Sequence, residues 1–332
     1  MRTTEVFETY WKFAVERQAI YFRRFTDSIG PWTDDAVLAA HRFTNAYRAA
    51  DRVSQYLIRE IQYHPDRPTT PNELFFRTML FKLFNRIDTW QALEARLGPI
   101  EWARIDLDRL SAVLDDLLRQ NRRIYSAAYI MPSPRYGHAR KHANHLALLA
   151  AMMEQRMPDR LAQLPTLSSV YHALLDWPGI GPFLAFQYTI DLNYSDLLDH
   201  DEAEFVVAGP GALDGLAKCF EDLGGLSPAE AIHWICEQQD AAFAARGLRF
   251  QTLFGRELQP VDCQNLLCEI SKYARVRHPN MTGISGRTRI KQSYRPNEAR
   301  MPPPFFPPKW GLAAATESAD MSCPAATGRL FA

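Results

Sequence analysis

TLSSVYHALLDWPGIGPFLAFQYTIDLN, residues 166–193, decides the fold class. Apolar residues recur at helical spacing as far as Asp176, where Pro178 stops the helix; Gly179-Ile180-Gly181 turns the chain and Pro182 opens a second apolar helix. Two helices joined by a tight glycine turn form a helix-hairpin-helix. Its glycines let backbone approach a partner closely, and the N–H groups that open the second helix face outward, which suits a nucleic-acid phosphate. An ordinary interhelical turn, with glycine supplying positive φ, is the plain alternative.

Helical periodicity extends in both directions. Phe43, Tyr47, Ala50, Val53, Leu57 and Ile61 predict one face of a long helix ending before Pro65, and residues 74–90, apolar on several faces, predict a central buried helix. Further helices are expected over 107–124, 143–153, 211–223, 228–246 and 261–276, with 205–208 as the one fair strand candidate. MPPPFFPPKW at 301–310 is too proline-rich for a helix and should lie extended, anchored by Phe305, Phe306 and Trp310. The expected architecture is all-α: one helical domain over 1–310, allowing two lobes with the hairpin at 166–193, then a flexible tail over 311–332 that is frayed from Ala313 on.

Composition narrows the class. With 47% hydrophobic and 12% aromatic residues in 332, the chain is globular rather than disordered. Its longest clear apolar run, 146–153, falls short of the ~18 residues a membrane-spanning helix needs. The N-terminus lacks a secretory apolar core, so a cytoplasmic location without membrane partners is expected. Five cysteines without a C-x-x-C pair argue against disulfides or structural zinc and point to buried thiols, and His142 and His145 lack an evident third ligand, so no metal is expected.

The 38 basic and 38 acidic residues cancel only in sum. Residues 119–141 carry six bases and no acid, residues 270–300 carry eight bases against Glu298, and residues 191–204 hold six acids and no Lys or Arg. Such zones suit a phosphate-binding surface beside a carboxylate cluster, or else solvated loops. On the helix expected at 44–60, Arg48, Asp51, Arg52, Gln55 and Arg59 fall opposite the apolar stripe. Asp51 between two arginines can hold both guanidinium groups with outer donors left for phosphate, or belong to a surface salt-bridge ladder. Lys82, among apolar neighbours, must either snorkel or meet an anion, and Asn85 either bonds a base edge or satisfies nearby backbone. Gly209-Pro210-Gly211 opens another helix suited to an anion. Glu269, Lys272 and Tyr273 fall within one turn, with Arg275 and Arg277 beyond; Tyr273 suits stacking on a base and the cations suit phosphate, unless this is a solvated basic helix.

The hairpin resembles that of helix-hairpin-helix DNA glycosylases, in which an aspartate about twenty residues past the first glycine serves the chemistry. Asp201 occupies that place here, with Glu202 and Glu204 competing for the role; residues 182–184, Pro-Phe-Leu, lack the hairpin lysine of the lyase members, so no Schiff-base mechanism is expected. Five ordered segments, TNAYRAADRVSQYLI (44–58), LFKLFNRIDTW (80–90), WPGIGPFLAFQYTIDLNYS (177–195), EFVVAGPGA (204–212) and CEISKY (268–273), resemble the α-glutamyl/putrescinyl thymine pyrophosphorylase family of bacteriophage DNA hypermodification. The resemblance spans residues 42–310. A similar helical domain accompanies kinases of 5-hydroxymethyluracil in DNA; these residues contain no G-x-x-x-x-G-K-[ST], which favours the transferase side.

The resemblance implies that an amine, such as an amino acid or polyamine, displaces pyrophosphate from 5-(pyrophosphoryloxymethyl)uracil in double-stranded DNA, with the base extruded from the stack. For that task Arg48, Asp51, Arg52, Lys82, Lys272 and Arg275 are the candidates to bind pyrophosphate, and Asp201, Glu202, Glu204, Glu269 and Asn85 are the catalytic candidates. Gly179, Ile180, Gly181, Tyr273, Arg277, Arg287, Arg289 and Lys291 are the DNA-binding candidates. No cofactor is called for, and Mg²⁺ assistance is left open, as is partnership with other hypermodification enzymes; a phage-borne chain would work in the host cytoplasm. The alternatives are a monofunctional glycosylase and a non-catalytic DNA-binding module.

Overall fold

The computed structural model describes residues 1–27, 29–295 and 301–312. The expected frayed tail with Cys323, and Glu298 and Arg300 of the second basic zone, lie outside the described residues. The chain starts with β1 (Arg2–Thr3), α1 (Glu5–Thr26) and α2 (Ala36–Ala40), then a 3₁₀ turn over Arg48–Ala50 and α3 (Arg52–Tyr56), which runs into a π-helical stretch, Leu57–Gln62. Next come α4 (Pro71–Phe84), α5 (Ile87–Leu97), α6 (Leu107–Arg119), α7 (Lys141–Glu154), α8 (Met157–Ala162), α9 (Leu167–Leu175) and α10 (Pro182–Asn193). The remainder is α11 (Pro210–Cys219), β2 (Phe220–Asp222), α12 (Pro228–Glu237), α13 (Gln239–Ala245), α14 (Pro260–Arg277) and a 3₁₀ turn over Pro308–Trp310. The fold is all-α apart from one short antiparallel pairing, β1 with β2.

Two compact units divide the chain. The first comprises Met1–Asp51 and Glu202–Pro304 with the described residues from Pro308 on; the second comprises Arg52–Asp201 with Phe305–Pro307. In the first, α1 begins where the Thr4 side chain accepts a hydrogen bond from the Val6 N–H at 3.1 Å, with Glu5 and Glu8 favourably placed in the first turn. Its buried Phe7, Trp11 and Phe13 pack against Phe220, Trp234, Phe243 and Tyr273. This helix is additional to those expected from the sequence pattern.

Helices α11 and α14 touch backbone to backbone. A Cβ on Gly215 would stand 2.0 Å from the Leu267 carbonyl oxygen, and one on Gly211 would stand 2.2 Å from Cys268 Sγ. Glycine spaced by four along α11 is therefore a packing device. Residues 205–208 form no strand, and the helix expected over 211–223 ends at Cys219, where Phe220–Asp222 pairs with β1 instead. The helix expected over 228–246 is two, broken at Gln238.

In the second unit, α4 is buried on nearly every face from Glu73 to Phe84. It does not continue to residue 90, because Asn85 takes the left-handed conformation (φ 50°) as a C-cap and α5 starts two residues later. Arg77, fully buried, donates to the Ile61 and Pro68 carbonyls at 3.1 and 2.8 Å and pairs with Glu73 at 3.3 Å. Two helices flank the glycine turn: α9 starts in a Thr166/Ser169 capping box, Gly179 turns with φ 83°, and Pro182 opens α10. The proline-rich segment is extended where Phe305 pairs its N–H and C=O with the Gln55 side chain, both at 2.9 Å. Among the described residues, no helix is long and apolar enough to cross a membrane.

The glycine contact yields a stability prediction. Gly215→Ala forces α11 off α14 and should destabilise by ~1–3 kcal/mol, as overpacking does; urea unfolding should show a lower midpoint, whereas Gly225→Ala, where a Cβ meets nothing within 4 Å, measures only the cost of its positive φ.

Candidate functional site

In the first unit, several buried charged side chains bond to one irregular segment, 42–51. Sequence periodicity predicts a helix here, but its N–H groups are captured by carboxylates. Thr44 N–H donates to Glu269 Oε2 at 3.0 Å, Asn45 N–H to Asp51 Oδ1 at 2.8 Å and Arg48 N–H to Asp262 Oδ1 at 2.8 Å. Arg17 adds bonds from Nε to the Thr44 carbonyl (2.7 Å) and from its guanidinium to Asn45 Oδ1 (2.6 Å). Side-chain acceptors thus replace the helical ladder until Arg52. Arg48 and Asp51 therefore do not share an exposed helical face with Arg52: Arg48 is buried in the 3₁₀ turn, Asp51 caps it, and Arg52 is exposed at the start of α3 in the second unit.

Within this first-unit cluster, Glu202 is 4% exposed. Its Oε2 lies 3.3 Å from the Arg256 guanidinium, whose other face stacks on Trp310 at 3.9 Å, and its Oε1 is buried without a hydrogen-bond partner. Burial pushes the Glu202 carboxyl up to about 7, against the opposing pull of Arg256, Lys309 and Arg48. Burial likewise raises Asp51 to about 7 and Asp262 to about 6, although both accept backbone hydrogen bonds that favour the ionised form. Glu269 also accepts from Lys272 Nζ at 2.6 Å, and that ammonium lies over the Phe43 ring at 4.4 Å. The arrangement can hold an anion at guanidinium groups and place a proton acceptor near neutrality beside them.

The other sequence-derived candidates have distinct places. Asp201 and Glu204 are exposed, so of the three acids Glu202 alone is enclosed. Tyr273 is a correction: it is fully buried against Phe13 and Phe43, donates to Asp35 Oδ2 at 2.7 Å, and offers no face to a base. Arg275 donates to the Arg289 carbonyl at 3.3 Å, while Arg277, Arg287, Arg289 and Lys291 are exposed. Asp214 accepts from Ser285 N–H at 2.6 Å and fixes the base of that basic loop, and Lys218 backs Asp214 at 3.2 Å. Arg17, Asp262 and Arg256 join the site without any local signal in the sequence, since the fold alone brings Arg17 and Asp262 to residues 42–51 and Arg256 to Glu202.

In the second unit, Lys82 does meet an anion. Its Nζ lies 3.0 Å from Asp191 Oδ2 and 2.9 Å from Asn85 Oδ1, both buried, with the Tyr129 ring above it at 5.0 Å. Asn85 thus both ends α4 and fixes the ammonium. Gly179 and Gly181 are exposed at the hairpin turn, whereas Ile180 is buried beneath it. Among the described residues, no group of three His, Cys, Asp or Glu side chains gathers to hold a metal, and Cys219, Cys236, Cys263 and Cys268 are free thiols.

Comparison with known proteins adds a family. Residues 4–283 match the family model described as the 5-hmdU DNA kinase, helical domain. A curated relative, the 5-hmdU DNA kinase of Bacillus phage SP10, is 26% identical over 296 residues, 82% of this chain and 46% of the kinase. The chain therefore spans less than half of that relative's length. No solved structure matches significantly.

The raised carboxyls fix the sign of a pH effect. Between the ordinary carboxylate range and about pH 7 the folded chain keeps protons that the unfolded chain has released, so stability should fall as pH rises through that window and level above it. Glu202→Gln should make urea midpoints measured from pH 5 to 8 less steep, with the residual slope due to Asp51 and Asp262; an unchanged slope contradicts the assignment. Separately, Lys82→Met alone should cost ~3–5 kcal/mol, and Lys82→Met with Asp191→Leu should recover most of it in the same urea assay.

Proposed function

The chain belongs to the family of 5-hmdU DNA kinase helical domains, and on that footing we propose that it acts on a thymine-derived base of phage DNA carrying an oxygenated 5-methylene group. The finer proposal is exchange of pyrophosphate for an amine on 5-(pyrophosphoryloxymethyl)uracil. The amine nitrogen bonds to the exocyclic methylene carbon, the bond from that carbon to the pyrophosphate oxygen breaks, and a carboxylate takes the ammonium proton.

One observation carries this proposal: Glu202 is buried beside Arg256, with its carboxyl pushed up to about 7. A base with a pKa near the working pH is matched to removing an ammonium proton. Arg256 and Arg48 supply positive charge where pyrophosphate leaves. The basic loop carrying Arg287, Arg289 and Lys291, with Arg277 at the end of α14, would hold the DNA backbone. The name of the phage relative favours a second proposal, in which this helical region presents a 5-hydroxymethyl base to phosphoryl transfer carried out elsewhere.

Mass spectrometry of nucleosides distinguishes these. DNA containing the pyrophosphorylated base is incubated with the protein and mixed amines, and DNA containing the 5-hydroxymethyl base with protein and ATP. Aminomethyl nucleosides are the expected product, and Glu202→Gln should reduce them by ~10²-fold or more, the size of a lost general base. Abasic sites would identify a glycosylase, a phosphorylated hydroxymethyl base the kinase role, and no product on either verified DNA would overturn every catalytic version.

A further inference from the structure

In the second unit, the loop between α6 and α7 has an apolar residue at its tip that the fold does not use. Ile130 is 91% exposed, more than any other large hydrophobic side chain among the described residues. A lone exposed aliphatic residue is ordinarily unremarkable on a protein surface. The loop around this one is held on both sides.

Immediately before it, Tyr129 donates to Gln187 Oε1 at 3.1 Å and packs edge-on to Phe183, both on α10. Immediately after it, Met131 is buried and its sulfur accepts from Tyr188 OH at 3.3 Å, again on α10. Next in the chain, the Pro132 carbonyl accepts from His145 Nε2 at 2.8 Å, and that ring's Nδ1 accepts from Tyr125 OH at 2.8 Å. Burial pushes His145 down to about 4, so it stays neutral and this arrangement does not change near neutral pH. Asn144 binds the far limb through Tyr136 N–H, His138 N–H and the His138 carbonyl. A rigid loop thus presents one apolar side chain to solvent.

The chain on either side of the tip is cationic. Arg122, Arg123 and Arg135 are exposed and have no ion pair among the described residues. The loop also lies against the hairpin: a Cβ on Gly179 would stand 3.3 Å from Pro134 Cβ. The tip residue therefore sits in a loop that touches a glycine turn opening a 12-residue helix, and behind the tip Tyr129 covers the Lys82–Asp191 pair.

We propose that Ile130 is a wedge that enters the DNA base stack, with Arg122, Arg123 and Arg135 taking the flanking phosphates. An apolar side chain on a stiff, positively charged support is what proteins insert between base steps to open them, and a base-modifying protein must hold its target outside the stack. The inference rests on the proposal that this chain acts on a DNA base, and it names the residue that opens the duplex. Tyr129, adjacent in sequence and anchored to α10, fixes the angle at which the wedge enters.

Fluorescence of 2-aminopurine tests this. The probe is a duplex containing 5-hydroxymethyluracil with 2-aminopurine as its neighbour, titrated with the full chain. Wild type should raise the emission as stacking is lost. Ile130→Ala should abolish the rise and weaken binding about tenfold, or ~1.4 kcal/mol, Ile130→Phe should restore it, and Ile29→Ala, an exposed aliphatic control, should leave it unchanged. Binding without an emission change, or an unaltered rise with Ile130→Ala, overturns the wedge while leaving the DNA-base role standing. Failure to bind any duplex overturns both, and Ile130-dependent binding to phosphatidylserine vesicles without duplex binding would assign the tip to a membrane surface instead.

Discussion

Three carboxylates set the geometry of the first unit by taking backbone N–H groups that a helix would otherwise use. Glu269 and Asp262 reach from α14 to Thr44 and Arg48, and Asp51 folds back onto Asn45. Each bond goes to a carboxylate and is wholly or partly buried, and removing one partner would leave a charge or donor unsatisfied where either is costly. The segment is held irregular, and irregular backbone brings Arg48 into the interior. Because α14 also packs backbone to backbone on α11 through Gly215, the position of these carboxylates depends on a helix contact that tolerates no Cβ.

The same burial that organises the segment changes its chemistry. Glu202, Asp51 and Asp262 lie near cations yet have raised pKa values, since the lost hydration outweighs the attraction of the neighbouring guanidinium groups. Such a cluster is expensive to fold and gains little stability in return, which is the usual mark of residues kept for what they do. Glu202 differs from the other two in having an oxygen with no hydrogen bond to satisfy it. In the second unit the Lys82–Asp191–Asn85 group is more fully arranged, with the ammonium held by two oxygens under an aromatic ring.

What the sequence made legible was local. The two helices and glycine turn over 166–193 were readable because prolines and glycines mark their boundaries residue by residue, and α6, α7 and α14 because their apolar stripes are regular. The stretch 43–61 departs from its pattern for the opposite reason: its apolar spacing is helical, but two of the three carboxylates that unwind it, Glu269 and Asp262, lie more than 200 residues away in sequence. Asn85 ended a helix that apolar periodicity would have continued, because a left-handed cap leaves no periodic trace. Tyr273 has the residue type and basic neighbours of a stacking residue, but Phe13 and Phe43 pack against it in the interior. Arg256 and Asp262 were unreadable as site residues, since each is one charged residue among many until the fold places it beside Glu202 or Arg48. The five ordered motifs led to phage thymine modification through the pyrophosphorylases, whereas the family match is to the helical domain of the neighbouring kinases.

Carboxyl ¹³C NMR of the full chain, with Glu202→Gln to assign the resonance, tests the central claim most directly. Glu202 is predicted to titrate near pH 7 and to move higher when pyrophosphate is added, because an anion at Arg256 and Arg48 disfavours the ionised carboxylate. A midpoint in the ordinary carboxylate range, unmoved by pyrophosphate, would contradict a neutral-pH base beside an anion site.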